Sequence, residues 1–498
     1  MNPGKLIDAQ PLDANLRLGS DYEPRQVKTH FRYPDDHGSF AQAAERCFGV
    51  GRCRSLSGHT MCPSFQATRE ERHSTRGRAH LLFEMMRGDP LTRSWREEGV
   101  REALDLCLQC KGCKHDCPVS VDMATYKAEF LAHYYKGRLW PRAAYSMGLI
   151  MWWAPLAMAA PGWANLLLRA PGIGVALKAV AGFTAEREAP AFAEESFQTW
   201  FQRQPKMTDG SRPQVVLWPD TFNNYFFPAT AKSAVRVLEH AGYRVTVPQE
   251  RLCCGRPLYD YGMLDLAKRQ LVQIINVLRP AIRAGVPVVG LEPSCLSVFR
   301  DELKNLLADD EDAQRLAGQT KTVSELLLAT PGWQAPHLGM KALVQTHCHH
   351  KAVLDPEKQH RMFEAMGLEL QPNATGCCGH AGSFGYETEH YPVSMAIAEQ
   401  VLLPAVRSAD GDTLIVADGF SCRQQIAHGA GRHALHPVEV LDWGLRKQPV
   451  ISARGIEAHL RVPGAATHRE AAVAALFGVA GLLYWLTRGQ RSRPHRAR

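Results

Sequence analysis

Cys107, Cys110, Cys113 and Cys117, followed by Pro118, spell C-x2-C-x2-C-x3-C-P without a gap. This is the bacterial iron–sulfur spacing: three evenly stepped thiolates reach three corners of one cubane, and the fourth, turned away before proline, reaches the other cluster of a pair. Zinc fits poorly, because it usually takes two separated C-x2-C knuckles. An altered copy of the motif comes earlier in the chain. Cys47 and Cys53 keep its first and third positions and Cys62-Pro63 keeps its last after an insertion, while Val50 stands at the second. By the exchange rule, Cys62 joins Cys107, Cys110 and Cys113 in a site of four thiolates, and Cys47, Cys53 and Cys117 form a site of three. An aliphatic side chain cannot ligate iron. The expectation is therefore two ferredoxin-type clusters, one 4Fe-4S and the other either 3Fe-4S or a 4Fe-4S completed by water or by an outside group such as His59.

Two further thiol sets lie downstream: Cys253-Cys254-Gly255 with Cys295, and Cys377-Cys378-Gly379 with Cys348 and Cys422. Adjacent cysteines are unusual in a core, and a following glycine gives the tight backbone that lets both sulfurs reach one metal centre. Each set sits in one half of an internal repeat. The first half reads as strand 215–218, helix 229–241, strand 244–247, helix 264–284 and strand 286–291. The second reads as strand 342–345, helix 357–366, helix 393–405 and strand 413–417. Open parallel sheets bind ligands at the carboxyl ends of their strands, which is where these thiols fall. The second half is expected to hold a further 4Fe-4S cluster or a metal ion. The first is weaker, since Asp220 is placed where its partner has Cys348. His347, His349 and His350 are expected to be surface residues or to sit behind the ligands.

The elements that must position these residues suggest an α/β chain with an all-α part at its N-terminus. Its 498 residues, 45% hydrophobic, are enough for about three domains. The expected division is an arm at 1–35, a helical two-cluster ferredoxin domain at 36–139, an apolar helical linker at 140–213, cysteine-rich parallel-sheet domains at 214–335 and 336–450, and an apolar helix with a basic tail at 451–498. The run 68–86, with Leu81, Leu82, Met85 and Met86, suits a helix, on which Arg69, Arg72, Arg76 and Arg78 are expected to form a solvated face, the alternative being that they face the clusters and raise their potential. Pro141, Pro155, Pro161 and Pro171 cut the apolar linker into pieces too short to span a bilayer, so buried packing helices are expected there, with a membrane-surface or quinone-facing patch as the alternative. The apolar run 471–486, followed by arginines, suits an interfacial anchor better than a span.

The 14 cysteines, in a long chain without a secretory signal, read as metal ligands in a reducing cytoplasm. Much of the net charge of +8 sits on arginines of the C-terminal tail. No basic patch elsewhere is interleaved with aromatics, so nucleic acid is not an expected partner. No G-x-G-x-x-G follows a strand and no Ser/His/Asp constellation stands out, which leaves hydride chemistry to another protein.

The chain resembles the iron–sulfur subunits of glycolate oxidase and of anaerobic glycerol-3-phosphate dehydrogenase, and the C-terminal half of fused FAD-linked D-2-hydroxyacid dehydrogenases. The carriers are Arg46-Cys47-Phe-Gly-Val-Gly-Arg-Cys53, Met61-Cys62-Pro63, the segment Arg72–Arg78, the Cys107–Pro118 run and both Cys-Cys-Gly turns. The opening Asn2-Pro3-Gly4-Lys5 looks like the end of a flavin domain. The Cys-Cys-Gly halves are also similar to the cysteine-rich domains of heterodisulfide reductase, except that Val298 and Gln425 replace the last cysteine of each C-x2-C. The resemblance implies an electron-transfer subunit, peripheral on the inner face of the membrane. It would take electrons from FAD on an oxidase partner that acts on a 2-hydroxyacid and pass them to a quinone or another acceptor. Disulfide reduction at a Cys-Cys-Gly site and a zinc-stapled scaffold are the alternatives.

Overall fold

The computed structural model describes residues 22–56, 60–205, 210–371, 376–446 and 452–460. His59, the opening arm before Tyr22, the apolar run 471–486 and the arginine tail lie outside the described residues.

The N-terminal part is helical, with Phe40–Glu45, Pro63–Thr68, Thr75–Arg87, Glu98–Asp105, Gly112–Asp116 and Met123–Tyr134 packed around Phe40, Leu82, Val100, Leu104 and Phe130. The helix expected from residue 68 starts later. Arg69 turns the chain at a φ of 61°, a 3-10 turn follows, and Ser74 caps the helix by accepting from the Gly77 N–H at 2.9 Å. The end of the arm is packed down: the His30 and Phe31 N–H groups donate to the buried Glu129 carboxylate, at 2.9 and 3.0 Å, and Phe31 and Tyr33 enter the core.

Two parallel sheets follow. The first is built from β1 (Gln214–Leu217), β2 (Arg244–Thr246), β3 (Val288–Gly290) and β4 (Thr320–Thr322) in the order β2-β1-β3-β4. The second, β5 (Lys341–Gln345), β6 (Glu369–Leu370) and β7 (Thr413–Ala417), runs β6-β5-β7, with Leu435 bridging Val416 in parallel where the first sheet has its fourth strand. The two orders coincide, which establishes the repeat. The short edge strands β4 and β6 carry too few residues for a periodic signal. The helix expected over 393–405 is two, Tyr391–Ala398 and Leu402–Ser408, broken where Val401 closes on Gly376.

One apolar core, including Val215, Leu217, Val289, Val344, Leu414 and Val416, serves both sheets. The helix Pro228–His240 lies on Pro437–Leu445 across the halves, held by Thr230 to Glu439 at 2.6 Å and Ser233 to Asp442 at 2.9 Å. The expected linker 140–213 ends in the helix Phe197–Arg203, whose Phe197 is buried in this core.

The linker helices correct the sequence reading in another way. Ile150–Ala157, Pro161–Arg169 and Ile173–Ala181 are short, as the prolines require, but they are not buried. One side packs through Ile150 and Ala154 on Phe192, Tyr225 and Phe226, and the other side faces outward. Among the described residues no single helix is long and apolar enough to cross a membrane.

Candidate metal centres

The loop from Cys107 to Cys113 has Gln109 and Lys111 at φ values of 50° and 55°, a left-handed winding that turns successive thiols inward. Gly112 approaches Thr60 so closely that an added Cβ would lie 3.1 Å from its Cγ2. Asp116 completes this seam by accepting from the Thr60 and Met61 N–H groups at 2.9 and 3.1 Å. The seam carries Cys62 to Cys107, Cys110 and Cys113, and all four thiols are buried. Burial pushes Cys110 and Cys113 well above the ordinary range, helped by neighbouring thiols at Cys110 and by the Asp122 carboxylate at Cys113, so metal coordination is what would deprotonate them.

Arg78 overturns the expectation of a solvated arginine face. Arg69 and Arg72 are exposed, but Arg78 is 1% exposed and spreads its guanidinium over Cys62 Sγ (3.2 Å), Ser64 Oγ (2.9 Å) and the Ala103 carbonyl (2.7 Å). A fixed cation donating to sulfur suits a thiolate ligand far better than a neutral thiol. Cys47, Val50, Cys53 and Cys117 line a separate small cavity, together with Arg76. The fourth cysteine of the complete motif therefore does leave its own loop. Burial pushes Cys53 up to about 11, while the Arg76 N–H donates to its sulfur at 3.4 Å.

In the second sheet the four expected thiols converge. Cys377 and Cys422 aim at Cys378 and hold it well below the usual thiol range, while Cys348, half-buried at the start of the helix Cys348–Val353, is an electrostatic neighbour of Cys377 and Cys422. The Gly379 N–H donates to Cys377 Sγ at 3.4 Å. Gln425 is buried and adds no thiol. In the first sheet Cys254 and Cys295 lie 3.0 Å apart and Cys253 accepts from Thr221 Oγ1 at 3.6 Å. Strand register corrects the placement of Asp220. Leu217 pairs with Val289 as Val344 pairs with Val416, so Thr221 is the counterpart of Cys348 and Asp220 that of His347. Both of the latter cap their helices. The donor chemistry thus fits a four-thiolate group in the second half and offers only three thiols in the first. All 14 cysteines are free of disulfides.

The histidines beside Cys348 are not surface residues. His347, His349 and His350 are buried, and ligand atoms of His347, Cys348 and His349 lie within 4.8 Å of one another. His350 meets Asp418 at 2.6 Å. His349 Nε2 donates to the Gln109 carbonyl at 2.9 Å. That bond joins the second sheet to the loop between Cys107 and Cys110, and Leu108 packs against Cys377 beside it. A cavity of about 60 Å³ between the halves is lined by Cys253, Cys254, Cys295, Cys348 and Arg256.

The two glycines of the Cys-Cys-Gly turns differ in how closely they are approached. Gly255 and Gly379 have φ values of 82° and 76°, but a Cβ on Gly379 would lie 2.2 Å from the Ser394 carbonyl, whereas on Gly255 its nearest neighbour is the Gln270 side chain at 3.0 Å. Gly255→Ala is expected to cost about 1–2 kcal/mol and Gly379→Ala at least twice that, read as the loss in denaturant midpoint. Equal effects would contradict this account.

A family profile described as a 4Fe-4S dicluster domain matches residues 43–121, and one described as a cysteine-rich domain matches 220–300 and again 343–427. The chain is 28% identical over 444 residues to D-2-hydroxyglutarate dehydrogenase of Pseudomonas putida, an alignment that covers 80% of this chain and 43% of that protein. It is 27% identical over 259 residues to one of the subunits of anaerobic glycerol-3-phosphate dehydrogenase of Escherichia coli, covering 51% of this chain and 65% of the relative. Lactate utilization protein A of Bacillus velezensis is 29% identical over 248 residues, which is 46% of this chain and 99% of the relative. The chain spans about half the length of the D-2-hydroxyglutarate dehydrogenases it matches. It combines a 4Fe-4S dicluster domain with paired cysteine-rich domains, consistent with an iron–sulfur subunit of the FAD-linked dehydrogenase family.

Proposed function

We propose that this chain is the electron-transfer part of an FAD-linked 2-hydroxyacid dehydrogenase, accepting electrons from a flavin on an oxidase partner and delivering them to a quinone or another acceptor on the cytoplasmic side of the membrane. D-lactate, glycolate and D-2-hydroxyglutarate are the substrates of the flavin partner that the relatives suggest. The observation that carries the reading is the direct packing of the Cys107–Cys113 loop on the second cysteine-rich domain, through Gln109 to His349 and Leu108 to Cys377. It brings Cys110 beside Cys348. Iron–sulfur clusters supply one-electron transfer at potentials set by charge, hydrogen bonds to sulfur and exposure. The chain's own contribution is to hold the thiols, shield them from water and aim N–H donors at them. Cys47, Cys53 and Cys117 lie on the outer side, with the half-exposed Val50 in their cavity wall.

Co-purification from native cells tests this reading. A flavoprotein captured with the tagged chain, whose reduction by a 2-hydroxyacid bleaches the visible absorption of the chain, supports it; a flavoprotein that never transfers electrons to the chain contradicts it. The cavity between the halves favours a second reading, disulfide reduction at the Cys-Cys-Gly sites. Turnover of a disulfide by the chain alone would promote that reading.

The three-thiol site is assigned a 3Fe-4S cluster, because Val50 offers iron no ligand atom. Val50→Cys should then convert the signal of an oxidised 3Fe-4S cluster in low-temperature EPR to that of a 4Fe-4S cluster on reduction, and should add one iron per chain. An unchanged spectrum and iron count would reject the assignment.

A further inference from the structure

We propose that the outward side of the three short helices between the dicluster domain and the first cysteine-rich domain is a docking surface for an anionic phospholipid bilayer. Large apolar side chains are concentrated on the surface there more than anywhere else among the described residues. Leu139 is 85% exposed, Leu156 72%, Trp163 69% and Val180 72%, and Ile173 and Val175 are about half exposed. Elsewhere among the described residues, exposed large hydrophobics are confined to Phe48, Val50, Leu56 and Val272. A concentrated apolar patch on an otherwise ordinary surface marks an interaction site.

The segment folds into one knob. Arg142 donates to the Ala179 carbonyl at 3.2 Å and Ser146 to the Ala181 carbonyl at 2.9 Å, which brings its beginning and end together. The last two helices would be apolar and long enough together to enter a bilayer, yet they meet at 94°. Because the inner side of the knob is packed on Phe192, Tyr225 and Phe226, the helices lie along a surface rather than through it.

Charge selects lipid over protein as the occupant. From Phe130 to Ala185 the sequence holds no aspartate or glutamate, while Lys136, Arg138, Arg142, Arg169 and Lys178 fall within it. Lys136, Arg138 and Arg142 are exposed. Protein interfaces carry polar rims, whereas apolar tips on a segment whose own charged residues are all cations, with Trp152, Trp163 and Tyr145 exposed among them, match the headgroup region of an anionic bilayer. This segment is distinct in sequence from the apolar run 471–486, and the proposal stands independently of the electron-transfer reading.

The test is binding of the full chain, purified anaerobically, to vesicles of phosphatidylcholine with and without phosphatidylglycerol. The chain should bind the phosphatidylglycerol vesicles more tightly and release as salt rises. The triple variant Leu156→Ser, Trp163→Ser, Val180→Ser should lower its partition about 100-fold. Lys136→Gln with Arg138→Gln should lower it about tenfold or more on anionic vesicles only. Hydrogen exchange should slow in 150–181 when vesicles are added. Each variant must keep the wild-type iron content, so that misfolding is not mistaken for lost docking. Unchanged partition of the triple variant, protection confined to 471–486, or protection of 150–181 by a co-purified flavoprotein without vesicle binding would each overturn the proposal. None of these outcomes bears on cluster content or electron transfer.

Discussion

Lys111→Met is expected to destabilise the protein by about 3–5 kcal/mol and to loosen the dicluster domain from the first cysteine-rich domain. Lys111 stands between Cys110 and Cys113, and its side chain has no exposure to solvent. Its ammonium meets Asp122 at 3.2 Å, Asp301 at 2.7 Å and Glu302 at 3.2 Å. Asp301 and Glu302 belong to the turn of helix that follows Cys295, and Glu302 also meets Arg256, directly after the first Cys-Cys-Gly, at 2.7 Å. Methionine would match the stem but leave three buried carboxylates short of their central cation. Burial alone would push Asp122 and Asp301 up; Lys111 and Lys114 outweigh it and hold both below the usual carboxylate range. Depressed carboxyls contribute stability above the unfolded pKa, about 4, that is lost as pH falls through the folded value. In wild-type protein the junction should therefore loosen on acidification below about pH 4, and in Lys111→Met this dependence should flatten. Chemical denaturation across pH with the clusters intact reads both. A Lys111→Met protein within about 1 kcal/mol of wild type would show that the network is dispensable.

The second large effect is electronic. Arg78→Met should lower the midpoint potential of the cluster assigned to Cys62, Cys107, Cys110 and Cys113 by about 60–130 mV, the equivalent of about 1.5–3 kcal/mol for one charge-assisted bond in a one-electron couple. The direction follows from removing a buried cation whose Nη1 lies 3.2 Å from Cys62 Sγ, since positive charge favours the reduced cluster. Arg78→Lys keeps the charge without the planar fork and should recover about half of the shift. EPR-monitored redox titration measures it. An unchanged potential, with only stability lost, would reduce Arg78 to a bridge between Ser64 and Ala103.

The thiols were legible because cluster chemistry fixes their spacing along the chain, and the repeat was legible because both halves spend long helices and a Cys-Cys-Gly turn on it. Arg78 was misread although a signal existed: it shares a helical face with Leu82 and Met85, both buried. What hid its role is that Cys62 reaches that face only through the seam at Thr60 and Gly112. Asp122 is a near neighbour of Lys111 in sequence, but Asp301 and Glu302 lie 190 and 191 residues along the chain, beyond the range of any local pattern. Apolar composition over 140–183 correctly gave short helices but could not say which side packs, because Trp153 and Trp163 look alike in sequence while the first packs on Phe192 and the second faces outward. His349 stood in a conspicuous Cys-His-His run. Its burial comes from the docking of its helix on the ferredoxin loop, which no spacing rule encodes.

Reductive titration of the anaerobically purified chain, with iron and zinc quantified on the same sample, tests the central claim most directly. The account predicts a brown protein whose visible absorption bleaches on dithionite addition and returns on reoxidation. It should carry about seven irons in the dicluster domain and more where the second cysteine-rich domain is loaded. A colourless protein with stoichiometric zinc, or one whose absorption does not respond to reductant, would contradict it.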